Sequence, residues 1–220
     1  MLTDKRQEKV LVWTKKYFQE NKPSPKNKQD ALHDIDHAIR VAYWAKVLAK
    51  KENGDDYILI PAAILHDIAI PKVGDPFHAT VGSKMCLPVL KKSGYTTIEI
   101  KRISDSIKTH STDDPDPPTT KEQKLLFDAD KLDASGPIAL HRWFFEYQKT
   151  VDYEKRGFLH KEAVEKTLQH IEKWKRIYGD KLYFTKTARH IGSIRLRYIE
   201  KVCKEILRDA DMQKEFYSLI

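Results

Sequence analysis

Ile60-Pro61-Ala62-Ala63-Ile64-Leu65-His66-Asp67-Ile68-Ala69-Ile70 is apolar at every position but two. A helix that is apolar all round is buried all round. The run therefore predicts a central helix that starts near Asp56 and continues through Ile70. Pro61 has no N–H to give and is tolerable only in the first turn. An imidazole and a carboxylate inside such a helix need a physical reason, because a buried carboxylate without a partner is costly. A cation bound by both removes that cost. The alternative is a core histidine hydrogen-bonded to its neighbour.

The flanking sequence reads as helices separated by Pro, Gly and Asn. Thr3 can cap a first helix to about Glu20, with Val10, Trp13, Tyr17 and Phe18 at helical spacing. A second helix is predicted over about 33–51, ended by Asn53-Gly54-Asp55-Asp56. Pro71 to Pro76 reads as a loop. Further helices are expected at about 78–93, 97–110, 120–133, 136–149, 160–178 and 185–209, and Thr119 or Thr120 can cap the one beginning near 120. No alternating strand of useful length appears. The expected architecture is all-α: one domain over 1–220, with a core at about 30–145 on which the terminal helices pack.

Composition sets the outer bounds. The 220 residues suit one ordinary domain, and 40% hydrophobic residues can fill its core. No apolar run approaches the ~20 residues of a membrane span, and no secretory leader is visible at the N-terminus. The two cysteines make no disulfide framework. The cytoplasm is the expected compartment. The net charge of +8 favours anionic partners. The cations are spread rather than blocked, which argues against specific nucleic-acid binding; a small phosphorylated partner such as a nucleotide fits the basic balance.

A His-Asp dipeptide alone is weak. With 9 His and 19 Asp, chance gives about 0.8 such pairs, and the chain has two, His33-Asp34 and His66-Asp67. Apolar context singles out the second. His37, in His37-Ala-Ile-Arg40-Val41, and Asp130, in Leu125-Leu-Phe-Asp-Ala-Asp130-Lys131-Leu-Asp133-Ala134, lie in comparably apolar surroundings. Two imidazoles and two carboxylates form a mixed N/O donor set that suits Mn, Fe, Ni, Co or Zn and leaves positions for water and a phosphate oxygen.

Together, His37-x-x-Arg40-Val41, Ala62-Ala-Ile-Leu-His66-Asp67, Thr109-His110-Ser111 and Asp128-Ala-Asp130-Lys131-Leu-Asp133-Ala134 resemble the HD-domain metal-dependent phosphohydrolases, and more narrowly the small bacterial YedJ-like HD hydrolases. The likeness runs from about His33 to Phe145. It implies that His37, His66, Asp67 and Asp130 hold one divalent metal (Mn, Ni, Fe, Co, Zn or Mg), with no second ion expected. It implies hydrolysis of a phosphate ester or phosphoanhydride, with Asp67, Lys131 and Asp133 as catalytic candidates.

His33, Arg40, His110 and Arg142 are the candidates for substrate contact. Arg40 can equally pair with a buried acid, and Asp34 can cap its helix or orient an imidazole. His78-Ala-Thr-Val-Gly82 looks like one element of two-metal HD enzymes, but the two adjacent histidines that accompany it there are reduced to His110 alone. Trp143 and Trp174 read as core rather than base-stacking platforms. The rival readings are a non-catalytic helical module that binds nucleotide or RNA, and a two-iron oxygenase, for which His78 and His110 supply extra ligands poorly.

Overall fold

The computed structural model describes residues 4–21, 33–74, 77–112, 116–148, 161–178 and 182–218. Every long regular element among them is an α-helix: α1 (Lys5–Glu20), α2 (Ile35–Glu52), α3 (Asp56–Leu65), α4 (Ile70–Val73), α5 (His78–Ser93), α6 (Thr97–Lys108), α7 (Lys121–Asp133), α8 (Pro137–Gln148), α9 (Lys161–Tyr178) and α10 (Lys186–Tyr217). The fold is all-α, as the sequence predicts. The chain divides into two compact units, Met1–Asp133 with Phe184–Ala188, and Ala134–Tyr183 with Arg189–Ile220. No single helix among the described residues is long and apolar enough to cross a membrane.

In the first unit α3 is the axis. Helices α1, α2, α6 and α7 pack around it, and α5 packs on α6. Ile58, Leu59, Ile64 and Leu65 are fully buried, each contributing roughly 1.5–3 kcal/mol. These burials offset the cost of holding ionisable groups in the same interior. Caps set the helix starts. Asp4, rather than Thr3, caps α1 by accepting from the Arg6 N–H at 2.7 Å. Thr120 caps α7 with Gln123 in reciprocal bonds. Asp34 caps α2 by accepting from the His37 N–H at 2.9 Å, which fixes the backbone that carries His37.

Three expectations are corrected. The central helix does not run unbroken to Ile70: α3 ends at Leu65, and a turn over 66–69 leads into α4. Pro71 is the reason, because its ring would meet the carbonyl of residue 67 if the helix continued. That Asp67 carbonyl instead accepts from the Ile70 N–H at 3.0 Å. The break falls at His66-Asp67, where it lets two neighbouring side chains turn toward one point. Pro61 lies inside α3, a turn deeper than expected, while Pro71 opens α4 where a loop was expected.

Asp128 is fully buried and accepts from the Phe184 N–H (2.7 Å), the Thr185 N–H (2.8 Å) and the Thr185 hydroxyl (2.7 Å). It fastens the segment that starts α10 to α7. In the second unit α8 packs on α9. There Trp143, His170 and Trp174 meet ring against ring at 4.8–5.6 Å, and the Tyr147 hydroxyl lies 3.0 Å from His170 Nδ1. The two tryptophans, both half-buried, pack against each other and against His170.

Candidate metal centre

Three elements of the first unit deliver the four predicted ligands to one place. His37 comes from the first turn of α2, His66 and Asp67 from the turn after α3, and Asp130 from the last turn of α7. His37 Nε2 lies 3.2 Å from His66 Nε2, 3.4 Å from Asp67 Oδ2 and 3.3 Å from Asp130 Oδ1. His66 Nε2 is 3.2 Å from Asp67 Oδ2 and 3.9 Å from Asp130 Oδ1. Ligands bound at about 2.1 Å to one ion stand roughly 3.0–3.4 Å apart at the edges of a tetrahedron or octahedron. The separations are of that size, with the His66–Asp130 edge somewhat longer.

The ring nitrogens on the far side decide the chemistry. His66 Nδ1 is 2.8 Å from the Ala63 carbonyl, and His37 Nδ1 is 2.7 Å from Asp133 Oδ2. These oxygens only accept, so each Nδ1 carries the proton and each Nε2 presents a lone pair inward. Two lone pairs 3.2 Å apart repel unless a cation, a metal ion or a proton, lies between them. Asp67 Oδ2, beside both, is buried and accepts no hydrogen bond among the described residues. A divalent cation fits this donor set.

The titration behaviour agrees. Burial pulls the His37 imidazole down, but the neighbouring carboxylates of Asp130, Asp133 and Asp67 overcome it and raise the group to about 10. Burial pushes Asp67 up, but His66, His110 and His37 hold it well below the usual carboxylate range. Burial also pushes Asp130 up, and Lys131, His37 and His66 hold it well down. Without a metal, the excess of buried carboxylate is thus balanced by a proton on His37.

Asp133 spans two partners, His37 Nδ1 and the Arg40 guanidinium, which donates at 2.8 and 3.1 Å. Of the two roles open to Arg40, pairing with a buried acid is the one its geometry serves. Lys131 donates to Asp130 Oδ2 at 2.7 Å, leaving Oδ1 toward the histidines. His33, half-buried, sets its ring edge-on to His37 at 5.6 Å. Arg142 lies on α8 in the second unit.

A second triad adjoins the first. Asp67 Oδ1 is 3.4 Å from His78 Nε2 and 3.4 Å from His110 Nε2, and those two nitrogens are 3.0 Å apart. His110 Nδ1 is tied to the Ile107 carbonyl at 2.6 Å, so its Nε2 also faces inward as an acceptor. Burial lowers His110 to about 4, with Asp67 opposing the shift. Both triads, His37-His66-Asp67 and Asp67-His78-His110, have ligand atoms mutually within 4.8 Å. The sequence reading gave His110 a substrate contact and left His78 outside the site. What it lacked was the third ligand: Asp67 serves both clusters through its two oxygens. The His78-x-x-x-Gly82 spacing carried the signal. A Cβ at Gly82 would stand 3.2 Å from the His66 carbonyl, so glycine lets α5 approach closely enough to bring His78 in.

Asp128 is the other residue whose role the sequence did not reveal. Its bonds to Phe184 and Thr185 anchor the helix that carries Asp130, and nothing in the local sequence separates it from Asp130 two positions on.

Residues 34–135 match the family model of the HD domain. The uncharacterized protein YpgQ of Bacillus subtilis (strain 168) is 31% identical over 117 residues, which are 51% of this chain and 56% of that relative, so the chain spans only about half the relative's length in this match. An HD superfamily hydrolase from an uncultured Thermotogales bacterium superposes with a TM-score of 0.63 at 26% identity, covering 92% of this chain and 91% of that one. The crystal structure of Bacillus subtilis YpgQ in complex with ADP superposes with a TM-score of 0.66 at 22% identity, covering 93% and 95%; at that identity the likeness speaks for the fold alone.

Proposed function

Because residues 34–135 match the HD-domain family model, we propose that this protein is a metal-dependent phosphohydrolase acting on a phosphate ester or phosphoanhydride of a nucleotide or similar small phosphorylated compound. The observation that carries the reading is the facing of two acceptor nitrogens, His37 Nε2 and His66 Nε2, at 3.2 Å beside the unbonded Asp67 Oδ2. His37, His66, Asp67 and Asp130 would hold the divalent ion. Bound there, it would polarise a phosphoryl oxygen and lower the pKa of water at neutral pH.

The chain's own residues divide the remaining work. Asp67, kept ionised by its histidines, is placed to accept a proton from attacking water. Asp133 and Arg40 fix the tilt and tautomer of His37. Lys131 pins Asp130 and adds positive charge beside the developing phosphoryl charge. His33 lies at the edge of the His37 ring, where it can donate to a substrate oxygen. The ADP complex of YpgQ, a protein of the same fold, supports the nucleotide part of the reading.

A second reading, favoured by the Asp67-His78-His110 triad, is that these three residues would hold a second divalent ion. Metal titration separates the two: one equivalent bound, or two equivalents falling to one in His78→Ala.

Phosphate release is measured across a nucleotide panel with Mn²⁺, Ni²⁺, Co²⁺, Zn²⁺ and Mg²⁺, for the wild type and Asp67→Asn. Release should vanish with a chelator, return with metal, and be lost in Asp67→Asn. Release that persists in the variant removes this site from the reaction. Nucleotide binding without turnover under every metal favours the non-catalytic module.

A further inference from the structure

Away from the metal centre, the first unit contains a cavity of about 600 Å³ between α1, α4 and α5, within the range of small-molecule sites. One wall is a single face of α1: Lys9, Trp13 and Tyr17 recur at four-residue spacing. The Trp13 and Tyr17 rings stack at 5.1 Å and 16°, giving a flat aromatic surface. The facing wall is α5, where Met85, Pro88 and Val89 supply an apolar lining.

Cations surround this apolar interior. Lys9, Lys72 and Lys92 all line the cavity, from three different helices. Lys72 Nζ stands 5.8 Å from the centre of the Tyr17 ring. None of the three has a carboxylate partner among the described residues, whereas Lys101, Lys108, Lys131, Lys161 and Lys166 of this chain each pair with an acid.

A second, independent feature points to a ligand. Tyr17 is only 9% exposed, and its hydroxyl is buried with no hydrogen-bond partner among the described residues. Such a group is costly unless something bonds to it. Three exposed lysines without a carboxylate partner at the rim, an unsatisfied phenol and an apolar interior suit one molecule that is apolar along its body and anionic at one end.

We propose that the cavity between α1, α4 and α5 binds an amphipathic organic anion, with an aliphatic or aromatic body against Trp13, Met85 and Val89 and a carboxylate or phosphate head held by Lys72, Lys9 and Lys92. Carboxylate and phosphate share the recognition chemistry of the head. A bare inorganic anion lacks the body, and a neutral alcohol lacks the charge.

The test uses the full chain and the fluorescent probe anilinonaphthalene sulfonate, an aromatic body with one anionic group. Saturable binding at one probe per chain is expected. Dodecanoate and dodecyl phosphate should both displace it, and their ratio identifies the preferred head. Dodecanol and inorganic phosphate should compete at least tenfold less well. Lys72→Met with Lys92→Met should weaken dodecanoate at least tenfold, while metal binding stays at the wild-type level. Val89→Trp, which fills the cavity, should abolish displacement; retention of the wild-type circular dichroism spectrum certifies its fold. Tyr17→Phe keeps the stack and should weaken binding severalfold. Absence of saturable binding, equal competition by dodecanol, or undiminished dodecanoate affinity in the double lysine variant overturns the proposal.

Discussion

Asp133→Asn replaces one atom in a side chain that the fold uses twice. The carboxylate accepts from His37 Nδ1 at 2.7 Å and from Arg40 Nε and the terminal guanidinium nitrogen at 2.8 and 3.1 Å. An amide has one acceptor oxygen. If that oxygen faces Arg40, the NH₂ meets the His37 Nδ1–H, and the ring must shift its proton to Nε2, where it blocks the metal. If the oxygen faces His37, the NH₂ opposes the guanidinium and Arg40 loses its anion. Either way at least one charge-assisted bond goes, about 1.5–3 kcal/mol. Loss of such outer partners costs metal sites about 10–100-fold in affinity, or about 1.4–2.8 kcal/mol. Calorimetric titration of the metal-stripped protein with Mn²⁺ reads this directly, and circular dichroism checks the fold. A dissociation constant within twofold of wild type, in a folded variant, refutes the idea that Asp133 sets the His37 lone pair.

The remaining predictions concern protonation, metal count and anchoring. His37 lies at about 10 in the metal-free protein against an ordinary 6.5, so its contribution is complete below pH 6.5 and is lost as pH rises through 10. Thermal stability of the stripped protein should therefore fall over that window, and His37→Gln should flatten the slope; an unchanged slope shows that His37 is not the proton carrier. Metal must displace that proton, so about one proton should be released per ion and affinity should rise with pH, which calorimetry in buffers of different ionisation enthalpy measures. Gly82→Ala places a Cβ 3.2 Å from the His66 carbonyl and should lower the affinity of the Asp67-His78-His110 triad severalfold while sparing the His37-His66-Asp67-Asp130 group; equal effects on both would contradict the role given to α5. Asp128→Ala removes three bonds to Phe184 and Thr185 and should cost about 3 kcal/mol, seen as a lower urea midpoint; a shift under about 0.5 kcal/mol would show the anchor to be dispensable.

The sequence alone determined the helical class and most helix boundaries, because amphipathic spacing and caps such as Asp34 and Thr120 act within a few residues of where they are read. It also pointed to His66 and Asp67, because polar groups in apolar surroundings carry an energetic cost that a reader can recognise without coordinates; the choice of His37, and of Asp130 over Asp128, came from the resemblance to HD-domain hydrolases. Three things needed the tertiary structure. The break after Leu65 depends on a conflict between Pro71 and a carbonyl four residues back, which turns His66 and Asp67 toward one point. The use of Asp67 by two clusters depends on α5 and α6 arriving from 11 and 43 residues further along the chain, and a linear reading cannot assign one carboxylate's two oxygens to different neighbours. The choice of Arg40 for Asp133, and of Asp128 for the start of α10, depends on separations of 93 and 56 residues. Spacing along a helix fixes which face a side chain occupies, but only packing fixes what it meets there.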